Sequence, residues 1–135
     1  MIHLIAALTL FAISGIHIYW ALGGYWGISV AVPQQEGQPL FKPGMAVTIM
    51  VAMVLAYAGI VSLALAGIST PSLSPYVVQY SAKVWGTVFL MRGLGGWLVL
   101  GLLGKLKGTP FAKMDTKFYS PLCLFLAATF WMAIL

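Results

Sequence analysis

Four long stretches of apolar residues follow one another along the chain, and shorter runs rich in glycine, proline and polar side chains separate them. A helix needs roughly 20 mainly apolar residues to cross about 30 Å of hydrocarbon. The pattern therefore predicts one all-α domain over residues 1–135, a membrane bundle of four spanning helices at 2–22, 45–67, 76–104 and 118–135. The third stretch is longer than one crossing requires, so we expect it to tilt, to kink or to extend beyond the membrane.

The connection at 24–44, between the first two predicted helices, is not uniformly polar. Its first half holds Tyr25, Trp26 and Ile28, which suit a piece of chain lying in the membrane interface. Its second half is rich in proline, glutamine and glycine and indicates a solvated turn.

Composition narrows the class of protein further. Hydrophobic residues make up 61% of the 135 residues and charged residues only 7%, whereas soluble domains carry about 25% charged residues. This composition excludes a soluble globular domain. The single cysteine, Cys123, excludes an internal disulfide, a Cys-x-x-Cys redox pair and a multi-cysteine zinc site, and two histidines are too few for a two-haem bundle. We therefore predict no cofactor and no metal.

The formal net charge of +5 comes from basic residues near the predicted membrane edges. They form no run interleaved with aromatic residues, so we expect no nucleic-acid partner. Most lysines lie in the connections after the first and third helices, namely Lys42, Lys105, Lys107, Lys113 and Lys117. Because basic residues concentrate on the cytoplasmic side, both termini are predicted to lie outside.

The two halves of the chain share a faint similarity. Leu22-Gly23-Gly24-Tyr25 recurs as Leu94-Gly95-Gly96-Trp97, and Pro39-Leu40-Phe41-Lys42 recurs as Pro110-Phe111-Ala112-Lys113. Two parallel helix-hairpin repeats would produce this pattern. Coincidence in a chain rich in glycine and leucine is the alternative.

Arg92 is the residue most indicative of function, because the third helix carries it well inside the predicted hydrocarbon. A charged side chain at that depth is usually paired or faces an aqueous cavity. Only Glu36 and Asp115 can supply a carboxylate, and Asp115 is favoured because it lies at the start of the fourth helix. The pair would either lock two helices together or leave the guanidinium able to bind a ligand.

His17, Tyr19 and Trp20 lie near the cytoplasmic end of the first helix, just before a glycine pair. Helical spacing puts Trp20 on the face of His17, so we expect the imidazole to point into the bundle beside the indole. The histidine could form a hydrogen bond between helices, exchange protons or ligate a metal.

Three strings of residues carry a family resemblance: His17-x-Tyr19-Trp20-Ala21-x-Gly23-Gly24, then Arg92-Gly93-x-Gly95, then Phe111-x-x-x-Asp115-x-x-x-Tyr119-Ser120-Pro121-Leu122-Cys123. In this order they resemble the bacterial family catalogued as domain of unknown function 3995, over nearly the whole chain. The resemblance implies a small four-span protein of the bacterial inner membrane and assigns no activity. That family often carries an acidic residue at the position of Gly96, so the resemblance adds weight to Asp115 as the partner of Arg92.

These observations favour a ligand-binding membrane protein. A lipid, a small amphiphile or an anion would occupy a cytoplasm-facing intramembrane pocket lined by Arg92, Asp115, His17, Tyr19, Trp20 and Tyr119. The alternatives are a small transporter or channel, an enzyme acting on a lipid-like substrate with His17 and Asp115 as acid and base, and a passive assembly subunit. The lipid bilayer is the expected partner, and a homodimer is open.

Overall fold

The computed structural model describes residues 1–32, 34–35, 38–39, 44–103 and 110–135, and for 34–35, 38–39, 97 and 99–103 it describes the backbone alone. Within these ranges the chain is helical apart from turns and one antiparallel pairing of Gln34–Gln35 with Gln38–Pro39, which is too short to form a layer. The prediction of an all-helical fold is confirmed.

The described helices, in chain order, are α1 (Ile2–Ala21), α2 (Ile28–Ala31), α3 (Met45–Leu65), α4 (Pro75–Leu103), α5 (Pro110–Met114) and α6 (Ser120–Met132). A single π-helical turn, Asp115–Tyr119, joins α5 to α6 without a break. We refer to this element as the π-turn.

The last helical segment differs from the sequence expectation. It begins at Pro110, earlier than the predicted start at residue 118, and α6 ends at Met132. Proline is favoured in the first turn of a helix because its missing N–H needs no partner there. The polar residues that follow look like a connection in the sequence, and this is why the start was placed too late.

Helices α1 and α3 form one antiparallel hairpin. Near one end, Ser62 Oγ donates a hydrogen bond to the His3 carbonyl oxygen at 2.7 Å. Further along, Ser14 Oγ donates to the Ala52 carbonyl oxygen at 2.6 Å. Both serines bond backbone carbonyls of the facing helix, which holds the two helices close together.

Helices α4 and α6 form the second antiparallel hairpin. Phe89 stacks on Phe130 with ring centroids 6.0 Å apart, and Trp85 stacks on Phe89 at 5.7 Å. One turn further along α4, a Cβ on Gly93 would lie 2.8 Å from the Leu124 side chain. The glycine therefore permits a helix contact closer than any side chain would allow.

The two hairpins meet in one core, where α3 also packs against α4 and α1 against α6. Small side chains alternate with large ones there: Ala6, Leu10, Ala58, Val61, Val78, Ala82, Trp85, Phe89, Leu126, Ala127 and Phe130. These neighbour relations are the ones that two parallel hairpins would give. The sequence repeat itself stays a prediction, and Leu40, Phe41 and Lys42 lie outside the described residues.

The short helices α2 and α5 lie at the same end of the bundle. Helix α2 follows α1 and packs against α5, which leads into α6. Among the described residues, two helices, Ile2–Ala21 and Met45–Leu65, are long and apolar enough to cross a membrane. Four spans, and the side on which each end lies, stay predictions.

Candidate functional site

Arg92 of α4 and Asp115 of the π-turn form an ion pair. Arg92 Nη2 donates to Asp115 Oδ1 at 2.5 Å. The Asp115 side chain is 1% exposed, whereas 41% of the Arg92 side chain is exposed. The expected ion pair is thus present, with the Asp115 side chain buried and the Arg92 side chain partly exposed.

Ser120, the first residue of α6, supplies the second contact of the carboxylate. Its Oγ donates to Asp115 Oδ2 at 3.2 Å, and the residue is completely buried. Both carboxylate oxygens therefore have a donor, as a buried charge requires. Ser120 was not among the site residues predicted from the sequence, so its contact with Asp115 is a finding of the structure.

The π-turn explains how residues five positions apart reach the same partner. Its hydrogen bonds run from each N–H to the carbonyl five residues earlier, and the Ser120 N–H bonds the Asp115 carbonyl in this way. Pro121 follows directly; it has no N–H for the carbonyl of Lys117, and its ring crowds that carbonyl. The wider turn relieves this crowding and brings the side chains of Asp115 and Ser120 onto one face.

Gly96 lies at the centre of this cluster. A Cβ built on it would overlap the Asp115 carboxylate and would lie 2.5 Å from Ser120 Oγ and 2.9 Å from Arg92 Nη1. The missing side chain is therefore what makes room for the three polar groups. The sequence suggested only a missing acidic partner at this position, but the structure gives the glycine a positive role.

The depth of Arg92 in a membrane stays a prediction. At about 1.5 Å of rise per residue, Arg92 lies about 26 Å along α4 from Pro75. If a hydrocarbon layer about 30 Å thick began at Pro75, the residue would lie near its far boundary.

The surroundings of the pair are basic. Lys113 and Lys117 flank Asp115 on the same helical segment, and both are exposed. The other acidic residue of the sequence, Glu36, lies outside the described residues, as do Lys42, Lys105 and Lys107.

His17 is bonded within its own helix. Its Nδ1 lies 2.8 Å from the Ile13 carbonyl oxygen, and its ring meets the Trp20 indole edge-on with centroids 5.1 Å apart. The predicted neighbour, Trp20, is therefore present, but the hydrogen bond does not run between helices. No contact that the structure gives among the described residues joins His17 to Arg92 or Asp115.

Tyr19 and Trp20 hold the segment that follows α1. Trp20 Nε1 donates to the Trp26 carbonyl oxygen at 2.8 Å, and the Tyr19 hydroxyl oxygen accepts from the Trp26 N–H at 3.4 Å. The Tyr19 ring also lies over Gly24 so closely that a Cβ there would overlap it. Tyr19 and Trp20 were predicted to line a ligand pocket. In the structure both side chains contact the backbone of the segment that follows α1.

Tyr119, the last residue of the π-turn, reaches the same segment from the other hairpin. Its hydroxyl donates to the Val30 carbonyl oxygen at 3.0 Å, and its ring contacts Phe111 and Phe118. We call residues 25–32 the strap, because they are bonded to α1 at one end and to the π-turn at the other.

Metal ligation is one of the alternatives for His17. In the part of the chain that the structure describes, no three His, Cys, Asp or Glu side chains come together. The site is therefore a polar cluster of Arg92, Asp115 and Ser120, with the strap beside it.

Comparison with models of known protein families identifies the family of this chain. The model of the family described as "Protein of unknown function (DUF3995)" matches residues 10–130. No curated protein and no solved structure matches the chain.

Proposed function

Because this chain belongs to the DUF3995 family of proteins of unknown function, we propose its function from its own site: a membrane protein that binds a phosphate-bearing anionic lipid headgroup at Arg92. The observation that carries the proposal is the Arg92 side chain, which is 41% exposed although its guanidinium is bonded to the wholly buried carboxylate of Asp115.

The geometry of this pair suits anion recognition. A guanidinium has five N–H donors in a planar fork, and the hydrogen bond to Asp115 engages one of them. The N–H groups that Asp115 does not engage are donors for a phosphate, which a guanidinium can bind through two parallel hydrogen bonds. Since the ion pair already fixes the side chain, a ligand would not have to order it, and this favours affinity.

The outer surface of the helices supports a membrane setting. Exposed large apolar side chains occur on every long helix, among them Leu4, Leu8, Val47, Met50, Met53, Val84, Val88, Met91, Leu98 and Met132. Soluble monomers rarely expose contiguous apolar patches larger than a few hundred Å². Exposed Tyr25 and Trp26 at one end, and Tyr76 and Tyr80 at the other, resemble the aromatic belts of membrane proteins.

Charge favours an anionic partner at the strap end. Exposed Lys113 and Lys117 lie beside the site, and a basic residue near an anionic leaflet adds about 1 kcal/mol of attraction. Cytoplasmic leaflets are anionic, in agreement with the predicted orientation. An enzyme that uses His17 with Asp115 is less well supported, because the imidazole bonds its own helix.

Native mass spectrometry of the protein in nanodiscs tests the proposal. In mixed phosphatidylglycerol and phosphatidylcholine, the parent chain should retain phosphatidylglycerol preferentially. Arg92→Gln combined with Asp115→Asn removes both charges without stranding a buried carboxylate and should abolish the preference. Lys83→Ala, at an exposed position of the same helix, is the control and should retain it.

Equal retention by the double variant and the parent would contradict the proposal. Added inorganic phosphate separates two sources of the anion. If it displaces the lipid at micromolar concentration, the site recognises the free ion and not the lipid headgroup. Anion flux in liposomes that depends on Arg92 would instead support the transporter alternative.

A further inference from the structure

The π-turn connects two contacts that belong to different parts of the molecule. Its first residue, Asp115, is bonded to Arg92 and Ser120. Its last residue, Tyr119, is bonded to Val30 of the strap. Because the π-turn is only five residues long, we expect a displacement of Tyr119 to move Asp115 as well.

The strap is attached on both sides by side chains that bond its backbone. Trp20 Nε1 donates to the Trp26 carbonyl, and Tyr119 donates to the Val30 carbonyl. Helix α2, which forms its centre, packs against α5, and Val32 at its end is buried. The strap therefore bridges the α1–α3 hairpin and the α4–α6 hairpin at the end where Arg92 lies.

We propose that the strap regulates the Arg92 site through the π-turn, an inference that rests on the proposed function. With Tyr119 bonded to Val30, the turn keeps Asp115 and Ser120 on one face and Arg92 in place. When that hydrogen bond opens, the turn can shift toward α-helical geometry. Asp115 and Ser120 then no longer share a face, and Arg92 loses the carboxylate that orients it.

The expected size of the effect is that of losing the hydrogen bond from Tyr119 to Val30. A neutral hydrogen bond changes an equilibrium by about 2- to 12-fold. Coupling between two sites is reciprocal, so a headgroup bound at Arg92 stabilises the closed strap by the same factor by which strap closure tightens binding. Opening of the contact between Tyr119 and Val30 and release of the lipid are thus two readouts of one equilibrium.

Hydrogen exchange of the full chain in nanodiscs measures the strap directly. Phosphatidylglycerol should slow exchange of the amides in 25–32 relative to pure phosphatidylcholine. Tyr119→Phe should speed that exchange by about 2- to 12-fold and weaken phosphatidylglycerol retention by a similar factor. Tyr25→Phe is the control: its side chain lies in the strap, is 84% exposed and has no hydrogen-bond partner among the described residues.

Trp20→Phe tests the route of the coupling. It removes one of the strap's two bonds to α1, leaving the bond from the Trp26 N–H to the Tyr19 hydroxyl, and it keeps the bond from Tyr119 to Val30. Exchange should therefore rise near residue 26 while lipid retention stays near that of the parent. Equal loss of retention in Trp20→Phe and Tyr119→Phe would overturn the route through the π-turn.

Two failures can be told apart. If the parent retains phosphatidylglycerol through Arg92 but Tyr119→Phe changes neither exchange nor retention, the strap inference is wrong and the binding proposal stands. If the paired Arg92 and Asp115 variant retains the lipid as the parent does, the binding proposal fails, and the strap inference fails with it.

Discussion

Asp115 can keep its charge in the interior because each of its oxygens has a donor and because Gly96 leaves room for them. Of these contacts, only the one with Arg92 was predictable. The chain has two acidic residues, so elimination led to the pair. The contacts of Ser120 and Gly96 with the carboxylate could not be predicted, because they depend on the π-turn. Such a turn has no periodic pattern in a sequence.

Gly96→Ala should disrupt the cluster at its centre. The added methyl group would overlap the Asp115 carboxylate and crowd Ser120, and overpacking of this kind destabilises a protein by about 1–3 kcal/mol. The neighbouring Gly95 is a matched control, because a Cβ there meets nothing within 4 Å. Thermal unfolding in detergent should give a lower Tm for Gly96→Ala than for Gly95→Ala; equal values would count against the crowded geometry.

The two partners of the ion pair should respond unequally to substitution. Arg92→Met strands a buried carboxylate and should cost about 3–5 kcal/mol, the range for breaking a buried pair. Asp115→Asn leaves a guanidinium that water can reach, and it should therefore cost less. Free energies of unfolding measured by denaturant titration test the order, and a larger loss for Asp115→Asn would reverse the burial argument.

At the scale of elements, the apolar pattern found the stretches that became α1, α3 and α4, because long hydrophobic runs need no knowledge of their neighbours. It placed the start of the last helix too late, since Lys113 and Lys117 look like part of a loop. In the structure that segment is helical and packs against α2, a contact that the sequence does not reveal. The hydrogen bonds that attach the strap could not be predicted from the sequence either. Trp20 and Tyr119 bond backbone carbonyls of the strap, and no sequence pattern indicates which carbonyls a side chain will reach.

Pro121→Ala tests the origin of the π-turn. The new N–H can bond the carbonyl of Lys117, so the turn should convert to α-helix and move Asp115 away from Ser120. We expect unchanged overall helicity by circular dichroism and loss of phosphatidylglycerol retention. Pro110→Ala, at the exposed start of α5, serves as the control. Full retention by Pro121→Ala would show that the proline does not set the geometry.

At the scale of the whole molecule, the account depends on the strap end facing the cytoplasm. The distribution of lysines along the sequence supports this orientation. Among the described residues, α2 packs against α5, which carries Lys113. In a Cys123→Ala background, Trp26→Cys should resist a membrane-impermeant maleimide in intact cells, whereas Ser69→Cys, in the opposite connection, should react. The reverse labelling would invert the topology and separate the basic end from the anionic leaflet.

The most direct test of the central claim uses the fact that Arg92 is the single arginine of the chain. Arginine labelled with ¹⁵N gives a guanidinium signal from this side chain alone, and solid-state NMR can measure its dipolar coupling to lipid phosphorus. In bilayers containing phosphatidylglycerol, we predict that ³¹P dephases the Arg92 guanidinium nitrogens. Dephasing of lysine ammonium signals without dephasing of the Arg92 signal would contradict the account, because the headgroups would then contact only the basic surface.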